Sequence, residues 1–122
     1  MNRVTLILVL TMTVLLGSWG VSWSADLQKG LDAAEREDYA TALKEWTPLA
    51  EQGDTDAQFS LGNRYRQGKG VPQDYKTAVK WYRLAAEQGY ADAQGNLGVM
   101  YRKIAEAQKL ARECIAKNYK GC

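Results

Sequence analysis

The residues able to do chemistry are few. The chain holds no histidine, and beyond residue 25 its single serine is Ser60, so no Ser-His-Asp or Cys-His machine can be assembled from it. Two cysteines, Cys114 and Cys122, cannot complete a tetrahedral zinc set without histidine, and no acidic loop has calcium-binding spacing. Carboxylates are the remaining candidates, because a glycosidase needs only two. Glu35, Glu37 and Asp38 cluster at one turn and Asp54 with Asp56 at another. Both groups sit where helices begin, and there aspartates cap and anions meet the positive end of the helix dipole. Gly68-Lys69-Gly70 imitates a phosphate loop, but no Ser or Thr follows the lysine and no strand precedes it. Catalytic, cofactor and metal residues are therefore assigned to none.

Tyr39, Trp46, Tyr65, Tyr75, Trp81, Tyr82 and Tyr101 could form a ligand platform, yet they lie on helical stripes that must fill the core. More useful for binding are positions that differ between repeated segments, since packing does not dictate them. Phe59, Asn63, Arg64 and Gln67, whose counterparts are Gly95, Val99, Met100 and Lys103, are the candidates, with an exposed Phe59 beside Arg64 as anchor pair.

The repetition that defines those counterparts organises the chain. Asp38, Tyr39, Thr41, Ala42, Lys44 and Ala50-Glu51-Gln52-Gly53 recur 36 positions later as Asp74, Tyr75, Thr77, Ala78, Lys80 and Ala86-Glu87-Gln88-Gly89. Asp56, Ala57, Gln58, Leu61, Gly62, Tyr65 and Arg66 recur as Asp92, Ala93, Gln94, Leu97, Gly98, Tyr101 and Arg102. Such a period marks a solenoid in which each unit buries its apolar face against its neighbours. The patterns are helical throughout. A first helix carries Leu27, Leu31 and Ala34. A second, capped by Asp38, carries Ala42, Trp46 and Leu49 and stops at Gly53. Thr55 and Gln58 have capping-box spacing at the start of a third helix with Ala57, Leu61 and Tyr65. A Gly-rich loop, Gly68 to Pro72, precedes a fourth helix capped by Asp74 and stopped by Gly89. The fold class is all-α, a short α-solenoid of antiparallel helix pairs with a long C-terminal helix.

Ala57-Gln58-x-x-Leu61-Gly62-x-x-Tyr65, Gly68-x-Gly70-Val71-Pro72-Gln73-Asp74-Tyr75 and Ala78-x-x-Trp81-Tyr82-x-x-Ala85-Ala86-Glu87-Gln88-Gly89 resemble the Sel-1-like repeat family, a branch of tetratricopeptide-like solenoids. The resemblance implies repeat units of about 26–53, 54–89 and a truncated 90–122. It also implies a non-enzymatic, exported bacterial adaptor with a concave surface for protein partners. Competing readings are a self-associating structural subunit and a cell-envelope ligand-binding protein or weak carboxylate enzyme. Some relatives with cysteine-rich repeats are linked to β-lactam binding, but the paired cysteines of that group are missing here.

After Tyr101 the pattern departs from the family. No glycine, proline or N-cap residue interrupts the run to Cys114, which predicts one helix from about Ala91 to Lys117, on the order of 40 Å long. Its stripe of Ile104, Ala107, Leu110, Ala111, Cys114 and Ile115 would lack cover from its own domain, pointing to a homodimer or a partner helix. The competing expectation is a break near Lys103 that folds the tail back as a cap.

Residues 1–25 read as a secretory signal peptide: Asn2 and Arg3, then an uncharged run from Val4 to Gly17, too short to span a bilayer, then small residues. Export to the periplasm or beyond is expected, an inner-membrane signal anchor being the alternative, with no stable membrane insertion after cleavage. The domain is then 26–122, and an oxidising compartment favours a Cys114–Cys122 disulfide. A net charge of +2 with acids and bases interspersed gives no nucleic-acid footprint.

Overall fold

The computed structural model describes residues 24–118 and 120. All of the expected leader but Ser24 and Ala25 lies outside them, as does Cys122 and with it the expected disulfide pair. Five helices occupy the described residues: α1 (24–35), α2 (Tyr39–Glu51), α3 (Thr55–Gln67), α4 (Tyr75–Glu87) and α5 (Ala91–Ala116). Short turns join all but α3 and α4, so successive helices run antiparallel and α1, α3 and α5 share one direction.

Local chemistry fixes the joints. Asp38 Oδ1 accepts from the Thr41 N–H at 3.2 Å, and Asp74 caps α4 through the N–H groups of Lys76 and Thr77 and the Thr77 hydroxyl. The capping box expected of Thr55 and Gln58 does not form. Asp54 is the N-cap instead, accepting from the Ala57 N–H at 2.8 Å, because Gln58 is drawn inward by a stronger demand. Its amide donates to the Ala50 carbonyl at 3.1 Å, satisfying a buried acceptor. Gln94 makes the same bond to Ala86 one unit later, at 3.2 Å.

Three helix ends share one stop. The Asp38, Asp54 and Tyr90 N–H groups reach back five residues to the Ala33, Leu49 and Ala85 carbonyls. The residue before each takes a left-handed conformation: Glu37 (φ 61°), Gly53 (φ 100°) and Gly89 (φ 90°).

Trp46, Leu49, Ala57, Leu61 and Trp81 centre one buried cluster, Val79, Tyr82, Ala93 and Met100 a second. Tyr101, expected in the core, is 45% exposed; its hydroxyl accepts a hydrogen bond from Arg83 Nη2 of α4 at 2.7 Å. Leu31 is likewise exposed. The α5 helix is unbroken, so the fold-back at Lys103 does not occur. At 26 residues, about 39 Å, it is twice the length of α4, on which it packs. Ile104 is the last residue packed against the second cluster, and 105–113 are exposed throughout.

Candidate partner-binding groove

The inner face of the solenoid forms a groove of about 810 Å³ between α1, α3 and the turn into α5. Leu27 and Leu31 of α1 line one wall, Phe59, Asn63 and Arg64 of α3 the other, with Tyr39 and Tyr90 at its edges. The groove residues expected from repeat comparison therefore come together. Around α3, 59 and 63 lie about 60° and 100° from Gly62, which faces Tyr82 of α4, and 64 lies about 160° from it, so 59 and 63 flank the α4 contact and 64 lies beyond it.

Phe59 is half-buried rather than freely exposed, because its ring packs at a tilt on Tyr90 (centroids 4.9 Å apart) and on Tyr82 (5.8 Å). Asn63 is partly committed to the fold. Its Oδ1 accepts the Tyr82 hydroxyl at 2.7 Å and Arg66 Nη2 at 3.4 Å, while the Tyr82 oxygen accepts from Arg66 Nε at 3.1 Å. Burial, ahead of the opposing Arg66 contact, raises the Tyr82 phenol above its ordinary range, so it remains a donor.

Arg64 is the reactive element of the groove. Its guanidinium lies 5.0 Å from the centroid of the Tyr39 ring, and Lys69 Nζ stands 5.6 Å from the same ring. Arg64 Nε is buried with no hydrogen-bond partner, and among the described residues neither cation takes part in an ion pair. At the other end, Asp56 lies beside Tyr90, whose phenol is held high by burial and then by the charges of Asp56 and Asp92. About two turns of α3, roughly 12 Å, separate Asp56 from Arg64. Arg64 and Lys69 thus stand at one end of the groove and Asp56 at the other.

Glu35 and Asp56 both line the groove, but Glu35 is in the last turn of α1 and Asp56 in the first turn of α3. The helices run in the same direction, so the acids occupy opposite ends rather than flanking one bond. Ser60 also lines the wall, in a chain without histidine. Among the described residues no group of three potential ligands could hold a metal ion, and no helix is long and apolar enough to cross a membrane.

Ile104, Leu110 and Ile115 lie elsewhere. Ile104 is half-buried on α4, whereas Leu110 and Ile115 are 65% and 59% exposed. At 100° per residue Ile104 and Ile115 lie nearly in line, but Leu110 is turned about 120° from them, so the three do not form one stripe. Repeat comparison missed Leu31, Tyr39, Lys69 and Tyr90. The link between α1 and α2 is four residues shorter than that between α3 and α4 (36–38 against 68–74), so α1 aligns with α3 at an offset of 32. Leu31 then pairs with Asn63, a correspondence the 36-residue register conceals.

Residues 55–90 match the family model of the Sel1 repeat. Neither the curated proteins nor the solved structures give a match to the chain.

Proposed function

We propose that the chain, whose residues 55–90 match the Sel1 repeat, in general a protein-interaction module, is a non-enzymatic adaptor that holds a segment of another protein in its inner groove. The observation that carries this reading is the Arg64 guanidinium, stacked over Tyr39 with a buried, unpartnered Nε, at the end of an aromatic-walled groove of about 810 Å³. Such a donor in a partly desolvated site favours a carboxylate, and Phe59 with Leu31 favours an apolar side chain next to it. The guest is an extended or helical segment bearing an acidic residue near a bulky apolar one.

The working form is the domain 26–122, exported after loss of the leader 1–25 to the periplasm or beyond, with Cys114 and Cys122 bridged within one chain. Support comes from the uncharged run after Arg3 and from cysteine use typical of an oxidising compartment.

Panning a displayed random-peptide library on the immobilised protein tests the groove. Enriched peptides should carry Asp or Glu beside an aromatic or aliphatic residue, and should lose at least tenfold in affinity for Arg64→Glu and for Leu31→Asp, both substitutions of side chains outside the buried core. Peptides that bind these variants as tightly as the parent, or no enrichment at all, would sink the reading.

A further inference from the structure

Two glycines of the solenoid serve as sockets for rings. Gly30 of α1 lies so close to the Trp46 indole of α2 that no side-chain carbon could be added, and a carbon built on Gly62 of α3 would come 2.7 Å from the Tyr82 ring of α4. Trp46 and Tyr82 are equivalent at the 36-residue period, and Gly30 and Gly62 at the offset of 32 set by the shorter link. In each complete unit an antiparallel helix therefore seats an aromatic ring on a glycine.

The third socket stands open. Gly98 is 36 residues beyond Gly62, yet a carbon built there meets nothing within 4 Å. The position 36 residues beyond Tyr82 is Asn118, past the end of α5 at Ala116, and it bears no ring. One turn from Gly98 on the same face is the exposed Tyr101, fixed at its hydroxyl by Arg83.

We infer that a second copy of this chain closes the solenoid: two α5 helices cross antiparallel about a two-fold axis near residues 99 and 100, each Tyr101 ring entering the Gly98 socket of the other copy. A glycine and an exposed ring three residues apart form a self-complementary pair, so one arrangement makes both contacts at once, as an isologous interface requires. The charges select the antiparallel sense. Residues 102–117 carry Arg102, Lys103, Lys109, Arg112 and Lys117 against Glu106 and Glu113. Crossed antiparallel, this basic half lies beside the α4–α5 corner of the other copy, where Glu87 and Asp92 are exposed; crossed parallel, the two basic halves would repel. The part of α5 that projects beyond Ile104 then runs along the other copy instead of through water. This interface is independent of the groove and stands whether or not the groove binds peptides.

Light scattering of the purified protein, with and without reductant, reads the outcome. The expected mass is twice that of one chain in both conditions. Gly98→Leu and Tyr101→Ala should each weaken the dimer at least tenfold while far-UV circular dichroism shows helicity kept, and for Gly98→Leu increased, since leucine favours a helix interior over glycine. Should Gly98→Leu unfold, Tyr101→Ala carries the same test, because it trims an exposed ring. A monomer throughout would overturn the proposal. So would a dimer that reductant dissociates, one indifferent to both substitutions, or one lost only on Leu110→Glu with Ile115→Glu.

Discussion

Asp38 and Asp74 begin their helices by the same means, and pH reveals how much each contributes. Both carboxyls are held below their ordinary range, chiefly by the hydrogen bond from the threonine three residues on, Thr41 or Thr77. A carboxylate with a depressed folded pKa adds stability that is complete above the unfolded value of 3.8 and is lost as pH falls through the folded one. Asparagine caps comparably but does not titrate. The double variant Asp38→Asn, Asp74→Asn should therefore melt near the parent Tm at pH 7 and lose less Tm than the parent between pH 5 and pH 3. The glycine sockets supply a second test. Gly62→Ala forces a carbon onto the Tyr82 ring and should destabilise by about 1–3 kcal/mol in urea unfolding. Gly98→Ala, at the equivalent open position, should not, because only the helix-propensity gain remains within a single chain. Sequence reasoning singled out Phe59, Asn63 and Arg64 by their variation between repeats, and all three line the groove, although Phe59 also packs on the second cluster. It missed that Asn63 Oδ1 is taken by the Tyr82 hydroxyl, since nothing in residue type tells which amide will satisfy a buried phenol.

Among the helices, three equivalent stops use two glycines and one glutamate. Glu37 sits at φ 61°, where a β-carbon is disfavoured, while Gly53 and Gly89 hold the same place without cost. Glu37→Gly should therefore stabilise the chain by up to about 1 kcal/mol, raising the urea midpoint without changing the m-value. Helix order, the Asp38 and Asp74 caps and the continuous α5 were legible because each rests on nearest-neighbour chemistry. The capping box at Thr55 was misread, since the decisive competitor for Gln58 was the Ala50 carbonyl, brought close only by the packing of α3 on α2. Tyr101 was assigned to the core by its spacing alone. Spacing tells that a helix has a face, and the neighbouring helix decides which face is covered.

Across the molecule, the two complete units are coupled through a few polar groups. Gln88 Nε2 donates to the Gly53 carbonyl at 3.0 Å and to Gln58 Oε1 at 2.9 Å, while its own Oε1 accepts from Thr55 at 2.8 Å. Gln88→Ala breaks all three bonds and leaves the buried Gln58 oxygen short of a partner, at an expected cost of about 1–3 kcal/mol. Because the units interact only through neighbours, this loss should also separate their melting, seen as a lowered m-value or a broadened transition. A variant that keeps the parent midpoint and a sharp transition would show that apolar contact alone joins the units.

The bond from Gln58 to Ala50 reappears unchanged as Gln94 to Ala86. Each unit thus presents to its successor the same acceptor that its predecessor presented to it. A tandem duplication of residues 55–90 would splice in with this glutamine bond regenerated at each junction. Length is accordingly a quantity that recombination can change in a single step, lengthening the inner wall by one helix each time without inventing a new packing solution.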